Sequence, residues 1–181
     1  HPAHSPALDL FFRNVTHLAD GLVPTAIGLL VLLFRDVRSF LMVGLSCSLS
    51  AIIVQVLKHG PFSGSDRPFM FKEKLGDMHW VDGLDIHHHF SFPSGHSTAA
   101  FSLCFALTVL IARPAWGIAL PLLAALLAYS RVYLSQHFSE DILAGAIIGT
   151  ATAVCVYQVL YRSRFAERKW LDRRVIRYRN Q

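Results

Sequence analysis

Ser130-Arg131-Val132-Tyr133-Leu134-Ser135-Gln136-His137-Phe138-Ser139-Glu140-Asp141, residues 130–141, is a polar bridge between two apolar runs, about 115–130 before it and 142–161 after it. A hydrocarbon core about 30 Å thick asks for about 20 residues per helix, so both runs read as membrane helices, with Arg131 and Asp141 at the ends that meet the bridge. Three more apolar stretches, 22–34, 39–57 and 97–112, complete a set of five. Only 39–57 and 142–161 approach spanning length alone. The others borrow polar flanks such as Asp20-Gly21 or Val132-Tyr133-Leu134, and an ionisable residue so placed is more often functional than incidental. Pro24 and Pro121 are tolerable because neighbouring helices satisfy the freed backbone groups. The expected fold is all-α, a polytopic membrane helix bundle with five visible transmembrane helices.

Composition agrees. With 53% hydrophobic residues and a mean hydropathy of +0.41, the 181-residue chain is more apolar than an ordinary soluble domain. Its formal charge of +5 and pI of about 9.4 suit nucleic acid as well as membranes, so the distribution of charge has to decide. If all five runs span, one side receives Arg35, Arg38, Arg113, Arg162, Arg164, Arg168, Lys169, Arg173, Arg174, Arg177 and Arg179, eleven of the 17 Lys and Arg. The positive-inside rule puts that side in the cytoplasm and the opposite face outside. Anionic lipid headgroups explain an arginine cluster that abuts a span, so no nucleic acid partner is expected.

Three regions result. Residues 1–21 form an interfacial amphipathic segment, because Leu8, Leu10, Phe11, Phe12, Val15 and Leu18 recur at helical spacing among His4, Asp9, Arg13 and His17. Residues 22–161 are the membrane-embedded domain, and 162–181 a basic cytoplasmic tail. Cys47, Cys104 and Cys155 each lie inside an apolar run and read as small buried hydrophobes, without metal or disulfide spacing. The chain opens on His1-Pro2 with neither an initiator Met nor an apolar signal core, so an upstream piece is expected.

The same topology gathers chemistry at one face. Lys58 ends the second run, His96 opens the third, Arg131 ends the fourth and Asp141 opens the fifth. Arg67-Pro68 and His137 lie in the connections on that side. A neutral imidazole attacks phosphorus well, so His137 is the expected nucleophile, and Asp141 four residues on would hold its other ring nitrogen. Ser139 is expected to cap the last helix and bring Asp141 into its first turn. His96 would act as general acid and later activate water. Pro93-Ser94-Gly95 precedes a helix expected to begin near Ser97, which aims free N–H groups at a phosphate; Ser94 adds a hydroxyl and Gly95 permits close approach. Arg131 is expected to clamp a phosphate bidentately and Lys58 to add a point charge.

Lys58 with Arg67-Pro68, then Pro93-Ser94-Gly95-His96, then Ser130-Arg131 with His137 and Asp141, together resemble the signature of the type 2 phosphatidic acid phosphatase family. The second and third strings match without a gap. The first departs, because the eight residues from His59 to Asp66 make its spacing longer than the family's. Either the loop bulges through Gly60-Pro61 and Ser63-Gly64, or Lys58 is a snorkelling helix end. The resemblance, over about residues 39–161, implies a membrane phosphatase acting on a lipid phosphate monoester or pyrophosphate, with a phosphohistidine intermediate and no cofactor. Such substrates include phosphatidylglycerol phosphate, phosphatidic acid, undecaprenyl pyrophosphate and lipid A. It also implies that Arg67, beside Pro68, joins Arg131 and Lys58 on the phosphate, and that a sixth helix lies upstream of the chain. A lipid-to-lipid phosphotransferase with the same nucleophile, a vanadate-dependent haloperoxidase and a non-catalytic lipid-binding protein are the competing readings.

The connection 59–92 is long enough to be a lid or a binding region. Its His79, His87, His88 and His89 do not share a helical face or a metal-binding spacing, so no metal site is expected. They read as a polar lip touching Asp82 or Asp85, with Trp80, Phe90 and Phe92 at the interface. Phe62, Phe69, Met70 and Phe71 are candidates for contact with an acyl or prenyl chain.

Overall fold

The computed structural model describes residues 4–76, 80, 81, 83, 84 and 87–174. Ser5 opens α1 (Pro6–Val15): its Oγ accepts from the Leu8 N–H at 3.3 Å, and Pro6 sits where a missing N–H costs nothing. A 3₁₀ turn, Thr16–Ala19, leads into α2 (Leu22–Phe34), with a bend of 48° between the two segments. Asp36 caps α3 (Val37–His59) by accepting from the Ser39 N–H at 2.8 Å. The connection that follows contains a 3₁₀ turn, Pro68–Phe71, and the single-turn α4 (Lys72–Leu75). α5 (Gly95–Ile111) stops where Ala112 turns left-handed, and Pro114 then starts α6 (Pro114–Tyr133). α7 (Ser139–Tyr157) runs on as a π-helical turn, Gln158–Arg162. No strand forms among the described residues, where β pairing is limited to isolated bridges.

α3, α6 and the continuous Ser139–Arg162 segment are long and apolar enough to cross a membrane, and the bent pair of Pro6–Ala19 with Leu22–Phe34 makes a fourth if it counts as one span. The sequence led us to expect five. The difference lies in α5, with 17 residues, and in α2, whose 13 residues extend only about 20 Å at 1.5 Å per residue. α2 needs the preceding turn and α1 to complete its length. α1 is amphipathic as expected, and its inner face is held: Phe12 is buried against Tyr133 with ring centroids 4.3 Å apart, and the Tyr133 hydroxyl donates to Asp9 at 2.6 Å.

α5 is the centre of the bundle, touching α3, α6 and α7, while α3 also meets α2 and α7. Small residues let the backbones approach. A Cβ on Gly145 would lie 2.5 Å from the Ser94 carbonyl, and one on Gly149 would collide with the Thr98 carbonyl, so α7 lies directly on α5. The outside of the bundle is apolar: Leu30, Ile52, Val56, Ile118, Leu122, Leu143 and Ile147 are all more than half exposed, a surface that lipid would cover. Cys104 is buried as expected and Cys47 partly so, but Cys155 is exposed on this apolar surface.

The start of the basic tail is docked. Arg38 donates from Nε to Asp172 at 3.0 Å and from Nη2 to the Ala166 carbonyl at 2.8 Å, and it also bonds the Leu160 carbonyl. Leu171 is fully buried, and the Val37 N–H donates to the Arg173 carbonyl at 3.0 Å. Residues 162–174 therefore fold back onto the first turn of α3. Arg177 and Arg179 lie outside the described residues.

Candidate active site

At the opposite end of α3, Lys58 turns inward and is only 9% exposed, with Nζ donating to the Phe90 carbonyl at 2.9 Å. Turns absorb the long gap to Arg67: Phe62 N–H donates to Leu57, Ser63 N–H to Gly60 and Ser65 N–H to Phe62. The loop bulges, and Lys58 does not snorkel. Arg67 then donates from Nε to the His89 carbonyl at 3.0 Å, beside the carbonyl that Lys58 uses, and from Nη1 to the Gln136 carbonyl at 3.2 Å. Burial pulls the Arg67 guanidinium below its ordinary value and the Asp141 carboxylate opposes the shift; an arginine so placed stays charged.

The end of α6 delivers the third string. Arg131 is 8% exposed, donates from Nη1 to Thr16 Oγ1 at 3.1 Å, and keeps a buried Nε without a partner among the described residues. Gln136 and His137 N–H groups both donate to the Arg131 carbonyl, a tight turn that swings the imidazole back under the bundle end. His137 Nδ1 lies 3.2 Å from Asp141 Oδ2, and both side chains are 2% exposed. That contact assigns the proton to Nδ1 and leaves the Nε2 lone pair free. Burial pushes the His137 ring below the ordinary histidine range; its bond to Asp141 opposes this, and the nearby Arg67, Arg131 and Lys58 add to it. The ring is neutral near pH 7.

The helix cap differs in detail from the expectation. Phe138, not Ser139, is the N-cap of α7, and its N–H donates to Asp141 Oδ2 at 2.9 Å. Ser91 is a further partner that the sequence did not reveal. It is buried in the long connection, donates to Asp141 Oδ2 at 2.5 Å and stands 3.4 Å from His137 Nδ1.

Ser94 is the N-cap of α5, so the helix starts at Gly95, earlier than expected, and Ser94 Oγ accepts from the Ser97 N–H at 3.4 Å. The Ser94 N–H donates to the Asp141 carbonyl at 3.0 Å and ties this string to the next. Gly95 has open space where a Cβ would stand. His96 Nε2 lies 2.7 Å from Asp20 Oδ1, another contact not foreseen, made by a residue that sequence reasoning treated only as a helix flank.

All eight expected residues, Lys58, Arg67, Ser94, Gly95, His96, Arg131, His137 and Asp141, thus sit at one bundle end. The histidine lip is partly different: His89 meets Asp66 at 2.7 Å and His88 stacks on Phe69, while His79, Asp82 and Asp85 lie outside the described residues. No cluster of three His, Cys, Asp or Glu side chains able to hold a metal occurs among the described residues. Beside Ser91 and Asp141 a cavity of about 720 Å³ opens, walled by Phe62, Phe71, Phe92, Phe138 and Leu75.

Three buried cations near a carboxylate-held imidazole, at one end of a membrane helix bundle, make up a class of site able to hold an anion such as phosphate. Residues 39–165 match the PAP2 superfamily, and the chain belongs to it. It is 37% identical over 102 residues to a putative undecaprenyl-diphosphatase, YbjG, of Escherichia coli (strain K12), covering 52% of this chain and 46% of that protein. A lipid A 4'-phosphatase of Bacteroides thetaiotaomicron is 33% identical over 89 residues, covering 49% of this chain and 40% of its own length. The chain thus spans less than half the length of these curated relatives. Among solved structures, Aquifex aeolicus LpxE superposes with a TM-score of 0.75 at 29% identity, over 86% of this chain and 88% of LpxE.

Proposed function

We propose that this protein hydrolyses a phosphate monoester or pyrophosphate carried by a membrane lipid, through a phosphohistidine. The observation that carries the reading is the surplus of buried positive charge. Lys58, Arg67 and Arg131 are each at most 9% exposed, bond only to carbonyl and hydroxyl oxygens, and form no ion pair among the described residues. Buried charge is costly unless compensated, and a phosphate dianion compensates it with oxygens that guanidinium groups grip in pairs.

In this reading His137 Nε2 attacks phosphorus, forming a P–N bond as the P–O bond to the lipid breaks. Asp141 and Ser91 hold the ring through Nδ1 and stabilise the imidazolium that develops. His96 gives a proton to the departing oxygen, then takes one from the water that cleaves the P–N bond, releasing phosphate and restoring His137. Lys58, Arg67, Arg131 and the Ser94-Gly95 start of α5 stabilise charge on the transferring oxygens, usually the largest catalytic contribution in such chemistry. The relatives are named a putative undecaprenyl-diphosphatase and a lipid A 4'-phosphatase, which supports a lipid substrate here. The Phe-walled cavity beside Asp141 supplies apolar surface for a hydrocarbon chain. The arginines at the far end of the bundle support a site facing away from the cytoplasm, across a bacterial inner membrane.

The test is phosphate release from purified lipid phosphates and pyrophosphates in detergent, with His137→Ala alongside. Wild-type release that His137→Ala abolishes while the bundle stays folded is expected. Full activity in the variant would remove the nucleophile, and label moving to a second lipid instead of to water would make the protein a phosphotransferase.

A further inference from the structure

We propose that Asp20 is the positioning residue for His96, holding the ring by one nitrogen so that the other delivers the proton to the leaving oxygen. The inference rests on the phosphatase reading above and deepens it. Asp20 Oδ1 takes His96 Nε2 at 2.7 Å, and Asp20 Oδ2 takes His17 Nδ1 at 2.7 Å, so the carboxylate is fixed from both sides. Among the described residues His96 makes no other side-chain hydrogen bond, which commits Nε2 to Asp20 and leaves Nδ1 for chemistry.

The pairing is built into the fold. Asp20 ends the 3₁₀ turn that begins at Thr16, and Thr16, four residues earlier and 3% exposed, receives Arg131 Nη1. One short turn therefore touches both a cation clamp and the second imidazole. Ala19, beside Asp20, is buried in a cluster with Ala100 and Cys104 of α5, which fixes the turn against the helix that carries His96. His96 and Asp20 together line a cavity of about 220 Å³ with Gly95, Ser50 and Gln55.

The proton balance is complete within these residues. With a phosphate dianion bound beside it, a doubly protonated His96 keeps Nε2–H on the carboxylate, passes the Nδ1 proton to the lipid oxygen as the P–O bond breaks, and is left neutral. Its free Nδ1 lone pair then takes a proton from the attacking water. A ring released from Asp20 loses both its orientation and its assigned tautomer, as happens when a carboxylate partner of a catalytic imidazole is replaced by an amide.

The test uses leaving groups of unequal need. An aryl phosphate such as p-nitrophenyl phosphate departs without protonation, whereas an alkyl lipid phosphate such as phosphatidic acid requires it. Asp20→Asn should lower kcat/KM, which reports formation of the phosphoenzyme and departure of the leaving group, by about 100-fold on phosphatidic acid, within the range general acids supply, and by about threefold or less on the aryl ester. The ratio of the two substrates is read from the same active molecules, so partial loss of folded protein cancels; Asp20→Ser gives the ratio by a second route. Equal losses on both substrates, or no loss on either, would overturn the role of Asp20 and leave the phosphatase reading standing. Wild-type protein that releases phosphate from neither substrate would overturn the role of Asp20, and silence on lipid pyrophosphates as well would overturn the phosphatase reading with it.

Discussion

Gly145 is where packing and chemistry meet, and Gly145→Ala tests both. A Cβ at that position would stand 2.5 Å from the Ser94 carbonyl oxygen and 3.0 Å from Ser97 Cβ and Thr98 Oγ1. Ordinary contact begins at 3.4 Å, so α5 and α7 must separate locally by about 0.9 Å, the difference 3.4 − 2.5. The Ser94 carbonyl has little freedom to turn aside, because it accepts from Thr98 Oγ1 at 2.9 Å and from the Thr98 N–H at 3.1 Å. The separation instead stretches the bond from the Ser94 N–H to the Asp141 carbonyl, the link between the strings that carry His96 and His137. Overpacking of this kind costs about 1–3 kcal/mol, and a lost hydrogen bond adds about 1 kcal/mol. A misplacement near 1 Å lowers turnover by about 100-fold. Thermal unfolding in detergent and phosphate release from a lipid phosphate are the two assays, with Gly117→Ala on α6 as control, since no atom lies within 4 Å of a Cβ there. The control should be neutral or slightly stabilised, by up to about 1 kcal/mol. A Gly145→Ala protein with wild-type melting and wild-type turnover would refute the argument that α5–α7 contact sets the site.

Two further outcomes follow from the buried charges. Lys58→Ala should lower kcat/KM by at least about tenfold, equivalent to about 1.4 kcal/mol of transition-state stabilisation, and a smaller loss would reduce Lys58 to an anchor for the Phe90 carbonyl. For pH, the depressed His137 value means that the unfolded chain takes up protons below about pH 6.5 before the folded protein does. Its contribution to stability is therefore complete above that pH and is lost as the pH falls. Wild type should lose more melting temperature than His137→Asn between pH 7 and pH 5, and the acid limb of kcat/KM should lie below pH 6.5; an acid limb above it would contradict a neutral, buried nucleophile.

The sequence carried most of this site because membrane topology is a strong constraint. Once the apolar runs alternate across a bilayer, Lys58, His96, Arg131 and Asp141 must emerge on one face, whatever the loops do. Run length was a weaker guide. The stretch 22–34 looked like a span because apolar composition reports the environment, yet a helix of 13 residues reaches its length only through the turn and α1 before it. What stayed hidden were contacts made across long sequence separations by common residue types. Ser91 lies 50 residues from Asp141 and Asp20 lies 76 from His96, and neither spacing follows a helical or strand period. The outcome for Lys58 shows the same physics from the other side. A longer gap before Arg67 looked like a broken motif, but turns at 60–65 consume the extra length locally, and Lys58 and Arg67 still reach the adjacent carbonyls of Phe90 and His89. Spacing along a loop is therefore a poor measure of whether two cations meet; the hydrogen-bond acceptors that receive them are the better one.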